Sequence, residues 1–411
     1  MSSSGILNDT TKYSGRKEII IVSIVFIIAL LIRLRFAWPL FDGEQEFMMG
    51  DDDDYYRLGL SLMNRGSLED GGFFAYRMPI FPIFLAIIFK LFGPSTSYAT
   101  LVIILLSSLI CVGTYYLGKS VFNPIIGLAA SLIIAFDTEL IIYSSFLLTE
   151  IPFVFMVLCC FLALNKFHKS PNFVWSLIVG LLLGITTLIR VNFGVIIPFL
   201  IIFLYLDSKS SKINISKYLA LILFLIGAMW LSWVSRNYVI SNSFIPFTTQ
   251  GGNAYFGVYN DIVANESNPL RFGHWIGLEI PERISHLDEF NADRELKLIA
   301  KTWFYKHPTQ GILIALSQLF HLWRPQPIGE IGISYGLIIL LSVYGYIKSN
   351  YMKSFQIRLW TLLFFSFSIA AIATIAVPRF NLVFHPYLAI LASFGLLSIN
   401  KSLVKKFRGR N

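Results

Sequence analysis

Apolar residues in this chain fall in long blocks and not in the stripes of a soluble amphipathic helix. Ile19 to Ile32 holds one polar residue, Ser23, and Leu219 to Val234 is almost as dry. About 20 apolar residues carry a helix across the hydrocarbon core of a bilayer. The blocks predict spans near 19–41, 98–117, 125–143, 151–165, 174–189, 193–206, 218–240, 331–347, 356–377 and 382–399. The expected fold class is therefore an all-α polytopic membrane protein of about ten transmembrane helices, with eleven or twelve allowed. No internal repeat or low-complexity linker divides the chain, so residues 1–411 read as a single membrane domain.

Two apolar stretches fit less well. Residues 79–92 would make a helix of about 21 Å, short of the roughly 30 Å core. They are expected to lie as an interfacial or re-entrant helix, and 311–323 likewise. Basic residues set the orientation, because cytoplasmic loops are rich in Lys and Arg. Lys12, Arg16 and Lys17 place the N-terminus in the cytoplasm. Lys119, Lys166, Lys169, Lys209, Lys212, Lys217, Lys348 and Lys353 then fall in loops on that same side, as does the tail from Lys401 through Lys405, Lys406 and Arg408 to Arg410. Two polar segments are left on the outer side: a first outer loop, 42–97, and a large outer loop, 241–310. The second contains Gly251-Gly252-Asn253, a turn signal, and a charged, helix-compatible run from Asp288 to Lys306.

Composition sharpens this picture in three ways. The chain is 55% hydrophobic and 14% charged, with a mean hydropathy of +0.67; soluble proteins carry about 25% charged residues. The net charge of +9 sits between apolar blocks, a topology signature that gives no reason to expect a nucleic-acid partner. The polar, basic first eighteen residues and the long apolar run predict a retained first helix and no cleaved signal peptide. Cys111, Cys159 and Cys160 lie inside apolar runs and suggest neither a disulfide nor a metal site.

Candidate chemistry clusters beyond the first span. Asp51-Asp52-Asp53-Asp54 precedes Tyr55-Tyr56-Arg57 and opens an amphipathic helix with Leu58, Leu62 and Met63 on one face. Carboxylates at a positive helix N-terminus are held rigidly at the interface. They suit a general base or a cation site; a solvated acidic turn is the plainer alternative. Glu150 is the second acid, set between two apolar spans without a basic neighbour in sequence. A charge inside a membrane segment costs roughly 2.5–3.5 kcal/mol at its centre, which makes function the first hypothesis; a helix-end carboxylate among headgroups is the other. Asp137 and Glu139 are expected to share one helix and the same outer environment. Arg77, Arg190, Arg236 and Arg379 are exceptions to the topology rule on the outer side. Guanidinium groups match phosphate oxygens two at a time, so the four together would suit a phosphate leaving group, although each alone reads as an interfacial residue.

The order of these pieces resembles the glycosyltransferase C superfamily, especially its branch with protein O-mannosyltransferases and lipid A aminoarabinose transferases. Asp51 to Gly66 resembles the acidic first-loop pattern, Arg77-Met78-Pro79-Ile80-Phe81-Pro82 an Arg-x-Pro-x-aromatic-Pro element, and Leu91-Phe92-Gly93 its close. Thr149-Glu150 resembles the second-loop acid, and Leu188 to Asn192 departs slightly from a Thr-Arg-Pro-like element. Arg236-Asn237-Tyr238 with Gly251-Gly252-Asn253 and Gly257, and Pro378-Arg379-Phe380 with His385-Pro386, resemble the late segments. The run of four Asp leaves the key acid open between Asp51 and Asp52, with Asp51 placed first by alignment on Tyr55, Tyr56 and Leu58.

The resemblance implies transfer of a sugar from a polyprenyl-phosphate carrier to a glycan, lipid or protein hydroxyl on the extracytoplasmic face, in a bacterial plasma membrane. Asp51 or Asp52 would act as general base, Glu150 would position the acceptor or the base, and the four arginines would bind the phosphate. Tyr55, Tyr56, Asn253 and His385 would position the acceptor or the loops. No cofactor is obligatory by this resemblance, although Mg²⁺ or Mn²⁺ is chemically compatible with the Asp run. A polysaccharide polymerase or ligase using lipid-diphosphate glycans is the alternative. A lipid-linked sugar transporter fits less, since the spans are dry and no inverted repeat is visible.

Overall fold

The computed structural model describes residues 15–41, 50–210, 213–268, 270–324, 331–349 and 354–408. Lys12, Lys212, Lys353, Arg410 and positions 42–49 of the first outer loop lie outside the described residues. The described residues are mainly helical: α1 (Gly15–Phe41), α2 (Asp51–Arg65), α3 (Ile80–Phe92), α4 (Thr96–Val121), α5 (Pro124–Ala135), α6 (Thr138–Tyr143), α7 (Glu150–Lys169), α8 (Phe173–Ile189) and α9 (Ile196–Ser210). There follow α10 (Ser216–Ser241), α11 (Gly251–Phe256), α12 (Asp261–Ala264), α13 (Glu282–Ser285), α14 (Glu289–Lys306), α15 (Pro308–Trp323), α16 (Ile331–Lys348), α17 (Phe355–Ala373) and α18 (His385–Arg408). Short 3-10 turns, Val191–Val195 and Pro378–Phe384, precede α9 and α18. Among the described residues the extended pairing is limited to one isolated bridge, Asp70 with Phe73.

Among the described residues, seven helical segments are long and apolar enough to cross a membrane: Gly15–Phe41, Thr96–Val121, Glu150–Lys169, Val191–Lys209, Ser216–Ser241, Phe355–Ala373 and Pro378–Ile399. Four shorter apolar helices accompany them, Ile80–Phe92, Pro124–Ala135, Phe173–Ile189 and Tyr335–Lys348. Each of the ten expected spans overlaps one of these segments, but the one near 125–143 is not a single helix. It breaks at Phe136, where Asp137 takes an extended conformation and accepts from the Leu140 N–H to cap the short α6. An Asp side chain competes with the helical backbone in this way and favours a new start. Asp137 and Glu139 therefore do not share a helix with α5.

The two ends of the bundle are chemically different. At one end the start of α1 meets the end of α4 through Glu18 and Lys119. Asn165 at the end of α7 joins Ser120 of α4 and Gln356 at the start of α17, and Asp207 of α9 joins Arg358 at 2.7 Å and His168 at 3.2 Å. The opposite end carries α2, α3 and α11 to α15. Between the ends, Arg33 is wholly buried in α1; it donates to Ser107 Oγ at 2.7 Å and to the carbonyls of Ile134 and Ala135 at the C-terminal end of α5. An intramembrane charge is tolerated when such acceptors surround it.

The segments expected to be interfacial are short helices packed on the site-bearing end. α2 and α3 close against each other at Gly59, where a Cβ would lie 2.9 Å from the Phe89 ring, so only glycine allows this approach. α15 buries Ile314, Gln318 and His321, and it turns Ile312, Leu313, Leu316 and Phe320 outward. Its Gln318 spans two segments, donating to Gly273 O at 2.7 Å and accepting from Ala376 N at 2.9 Å.

The large loop is tied to the first loop. Glu289, at the start of α14, accepts from Phe74 N at 2.7 Å, Ala75 N at 3.2 Å and the Thr249 hydroxyl. The turn signal Gly251-Gly252-Asn253 in fact begins α11, which lies directly on α14. Gly252 N donates to Asp293 Oδ1 at 2.6 Å, and a Cβ on Gly252 would fall 2.4 Å from Asp293 O. Gly252→Ala is therefore expected to cost about 1–3 kcal/mol through overpacking, read as a lowered unfolding temperature and faster proteolysis within 241–310.

Candidate active site

The helical phase of α2 sends its four leading aspartates to different places. Asp51 accepts from Arg77 Nη2 at 2.6 Å through one oxygen and from Arg379 Nη2 through the other. Asp54 also accepts from Arg77, at 2.7 Å, and from Arg57 at 2.9 Å. Asp53 pairs with Arg57, which reaches on to Asp70 at 2.6 Å. Asp52 points inward, 2% exposed, and its Oδ2 accepts from Leu147 N at 3.3 Å.

Glu150 stands at the first turn of α7, 2% exposed. Its Oε1 accepts from Arg190 Nη2 and lies 3.3 Å from Arg379 Nε. Arg190 occupies the extended residue between α8 and the Val191–Val195 turn, which swings its side chain off the helix end. It also donates to Thr149 Oγ1 at 2.8 Å and lies over the Phe380 ring at 4.9 Å. Arg379 sits in the Pro378–Phe384 turn, so three breaks in helical structure aim these groups at one point. They line a cavity of about 140 Å³ with Tyr55, Asn192, Gln250 and Phe380. Three guanidinium groups face two carboxylates in this lining, one positive charge in excess.

Asp51 and Asp52 differ sharply in acidity. Burial alone would raise Asp51, but Arg77 and Arg379 outweigh it and hold its carboxyl below the ordinary carboxylate range. Burial pushes Asp52 up to about 7; the Leu147 N–H opposes this in part, and the negative charges of Glu150 and Asp51 reinforce it. Between roughly pH 4 and 7 the folded protein then holds a proton at Asp52 that an unfolded chain, with its carboxyl near 3.9, has released. Stability contributed by this group is present at low pH and lost as pH rises through about 7. Asp52→Asn is expected to raise the unfolding temperature at pH 8 by a few degrees, with the gain shrinking toward pH 5.

The remaining sequence candidates are dispersed. Arg236 is not brought to the cluster: it donates to the carbonyls of Phe74 and Leu68 and lies over the Trp233 ring, holding the loop that leads to Arg77. Tyr55 lines the cavity and meets Phe81 edge-on at 4.9 Å. Tyr56 instead packs on Phe89 and donates to Pro94 O at 3.2 Å. Asn253 donates to the Tyr76 hydroxyl at 3.3 Å, outside this cavity. His385 is buried away from it, 2.7 Å from Asp137 Oδ2 and 3.2 Å from Asn381 Oδ1. Sequence reasoning missed Asp54 as the second partner of Arg77 and Glu289 as the clamp of the first loop. Neither contact has a local signature.

Among the described residues no group of three His, Cys, Asp or Glu side chains is placed to hold a metal ion. The donor set near the cavity also suits a cation poorly. Both Asp51 oxygens accept from guanidiniums, and Glu150 Oε1 lies against Arg190 and Arg379.

Residues 77–233 match the family described as dolichyl-phosphate-mannose-protein mannosyltransferase. No curated protein matches the chain. Among solved structures, the oligosaccharyltransferase of Archaeoglobus fulgidus in complex with zinc and sulfate superposes at a TM-score of 0.60 and 14% identity, covering 93% of this chain and 49% of that one. The same organism's oligosaccharyltransferase AglB, with an inhibitory peptide and a dolichol-phosphate, gives 0.57 and 13%, covering 96% and 52%. ArnT of Cupriavidus metallidurans bound to undecaprenyl phosphate gives 0.45 and 12%, covering 92% and 77%. The chain thus spans about half the length of the oligosaccharyltransferase it matches. Its helices nevertheless follow that protein over nearly their whole extent here, and the chain shares that oligosaccharyltransferase's fold.

Proposed function

We propose that this protein is a multi-pass membrane glycosyltransferase that moves a sugar from a polyprenyl-phosphate carrier to an acceptor hydroxyl on the extracytoplasmic face. The observation that carries the reading is Asp51 suspended between Arg77 and Arg379, in one cavity with Glu150 and Arg190. Displacement at an anomeric carbon needs a base for the incoming hydroxyl and positive charge for the departing phosphate. These two requirements are met by groups already in contact. In the resting site the guanidiniums are occupied by Asp51 and Glu150. An incoming phosphate offers them bidentate acceptors as well, and their transfer to it releases Asp51 to accept the hydroxyl proton. The arginines then stabilise the charge that grows on the leaving group. Glu150 holds Arg190 and Arg379 in place for that exchange. Asp52, neutral below about pH 7, keeps a second negative charge away from the base.

The dolichyl-phosphate mannosyltransferase match of residues 77–233 supports the donor class, because it covers Arg77, Glu150 and Arg190. The extracytoplasmic placement, with cytoplasmic termini, rests on Lys119 and the other basic loop residues at the opposite end of the bundle. The test is transfer from a panel of radiolabelled polyprenyl-phosphate sugars in membranes containing the protein. Label passing to an acceptor at rates above empty membranes is the expected result. Transfer only from diphosphate-linked glycans would replace this donor class by that of a polymerase or ligase.

A further inference from the structure

A second cavity opens on the other side of Arg77. Its volume is about 920 Å³, against about 140 Å³ for the first. Ligand pockets measure about 300–1,000 Å³, so the first holds little beyond the reacting groups while the second has room for a substrate. Arg77 lines both; it holds Asp51 on one side and Asp54, a lining residue of the second cavity, on the other. Its side chain is 7% exposed, and its Nε donor is buried without a partner among the described residues.

The two cavities have opposite charge. The first has an excess of guanidinium, whereas the second sets Asp54, Asp70, Asp288, Glu289 and Asp293 against Arg57, Arg77 and Lys297, the last paired with Asp293 at 2.6 Å, and keeps a negative excess. A phosphate-bearing group is drawn to the first and repelled by the second. The wall formed by the first loop also presents aromatic faces, Phe73, Phe74 and Tyr76, with Phe73 half exposed and 5.5 Å from Tyr76. Aromatic faces receive the C–H faces of sugar rings, and carboxylates accept from sugar hydroxyls or amines.

The same wall argues against an extended peptide, which is held mainly by free backbone groups. Along most of this wall those groups are already used. Asp70 and Phe73 bond to each other, Phe74 N and Ala75 N donate to Glu289, and the carbonyls of Leu68, Phe74 and Ala75 accept from Arg236 or Thr249 N. Recognition there is left mainly to side chains.

We infer that the second cavity binds the acceptor, and that the acceptor is an uncharged or amine-bearing carbohydrate and not an anionic one. This rests on the reading of the Asp51 cavity as the transfer site. The test is direct binding, without donor, to the full chain in zwitterionic nanodiscs, so that a failure of transfer chemistry does not touch it. Three trisaccharide probes differ in charge: tri-N-acetylchitotriose, chitotriose and trigalacturonic acid. The first two are expected to bind, and the third at least about tenfold more weakly, as like-charge juxtaposition demands. Ser285 lines this cavity. In Ser285→Cys, coupling a bulky uncharged methanethiosulfonate is expected to remove binding, while the same reagent leaves binding to the wild type intact. Equal or tighter binding of trigalacturonic acid, binding that survives the coupling, or no binding by any probe would each overturn the inference. A protein that binds these sugars yet transfers nothing would keep this site and lose the transfer reading.

Discussion

Asp51→Asn is expected to lower sugar transfer by about 10²–10⁴-fold, the usual contribution of a positioned base, with the protein inserted at normal levels. Asn keeps the shape and still offers one acceptor oxygen to Arg77 or Arg379, so the cavity should survive. What is lost is the capacity to take a proton. The loss should therefore fall on kcat, with the KM for the donor unchanged or reduced, because the freed guanidiniums bind phosphate without competition from a carboxylate. The measurement is initial rate against donor concentration in proteoliposomes. An Asp51→Asn variant with wild-type kcat would remove Asp51 as the base and turn attention to Asp52.

Arg379→Ala is the second large effect, expected at about 10²–10³-fold in kcat, comparable to removing one donor from an oxyanion site. Arg379 joins Asp51 and Glu150, so its removal takes away transition-state charge and also loosens both acids. Lysine should recover little. One ammonium cannot reproduce the fork that reaches Asp51 through Nη2 and Glu150 through Nε at once. Arg236→Ala offers the contrast. It should act through the first loop, raising KM and lowering thermal stability, because its partners are the carbonyls of Leu68 and Phe74. Equal kcat losses in both variants would assign Arg236 to the phosphate site after all.

The membrane architecture was legible because the bilayer imposes its demand segment by segment. A block such as Ile19 to Ile32 has one stable environment whatever its neighbours do. The break at Phe136 was not legible in the same way, since the cap provided by Asp137 sits inside an otherwise continuous apolar run. The arginines show the limit for sites. Arg77, Arg190, Arg236 and Arg379 all read in sequence as basic exceptions on the expected outer side, yet only tertiary contact separates the three that meet the acids from the one that holds a loop. Glu289 is the extreme case, lying 214 residues from the Ala75 N–H it accepts from while reading in sequence as an ordinary helix-start acid. Within the run of four aspartates, residue type carried no information at all. The helical phase of α2 distinguished them.

That run has a genetic consequence. Successive helix positions differ by about 100°, so deleting one residue just before α2 can turn Asp52 to the place of Asp51 only by turning the whole helix. That would bring Leu60 to the position of Gly59, where a Cβ already meets Phe89 at 2.9 Å and Leu85 at 3.0 Å. A chain disabled at Asp51 is therefore not expected to be rescued by length changes near Gly50 that draw on the aspartates downstream, and true reversion is the expected route. The four codons look interchangeable, and a glycine further along the same helix keeps them from being so.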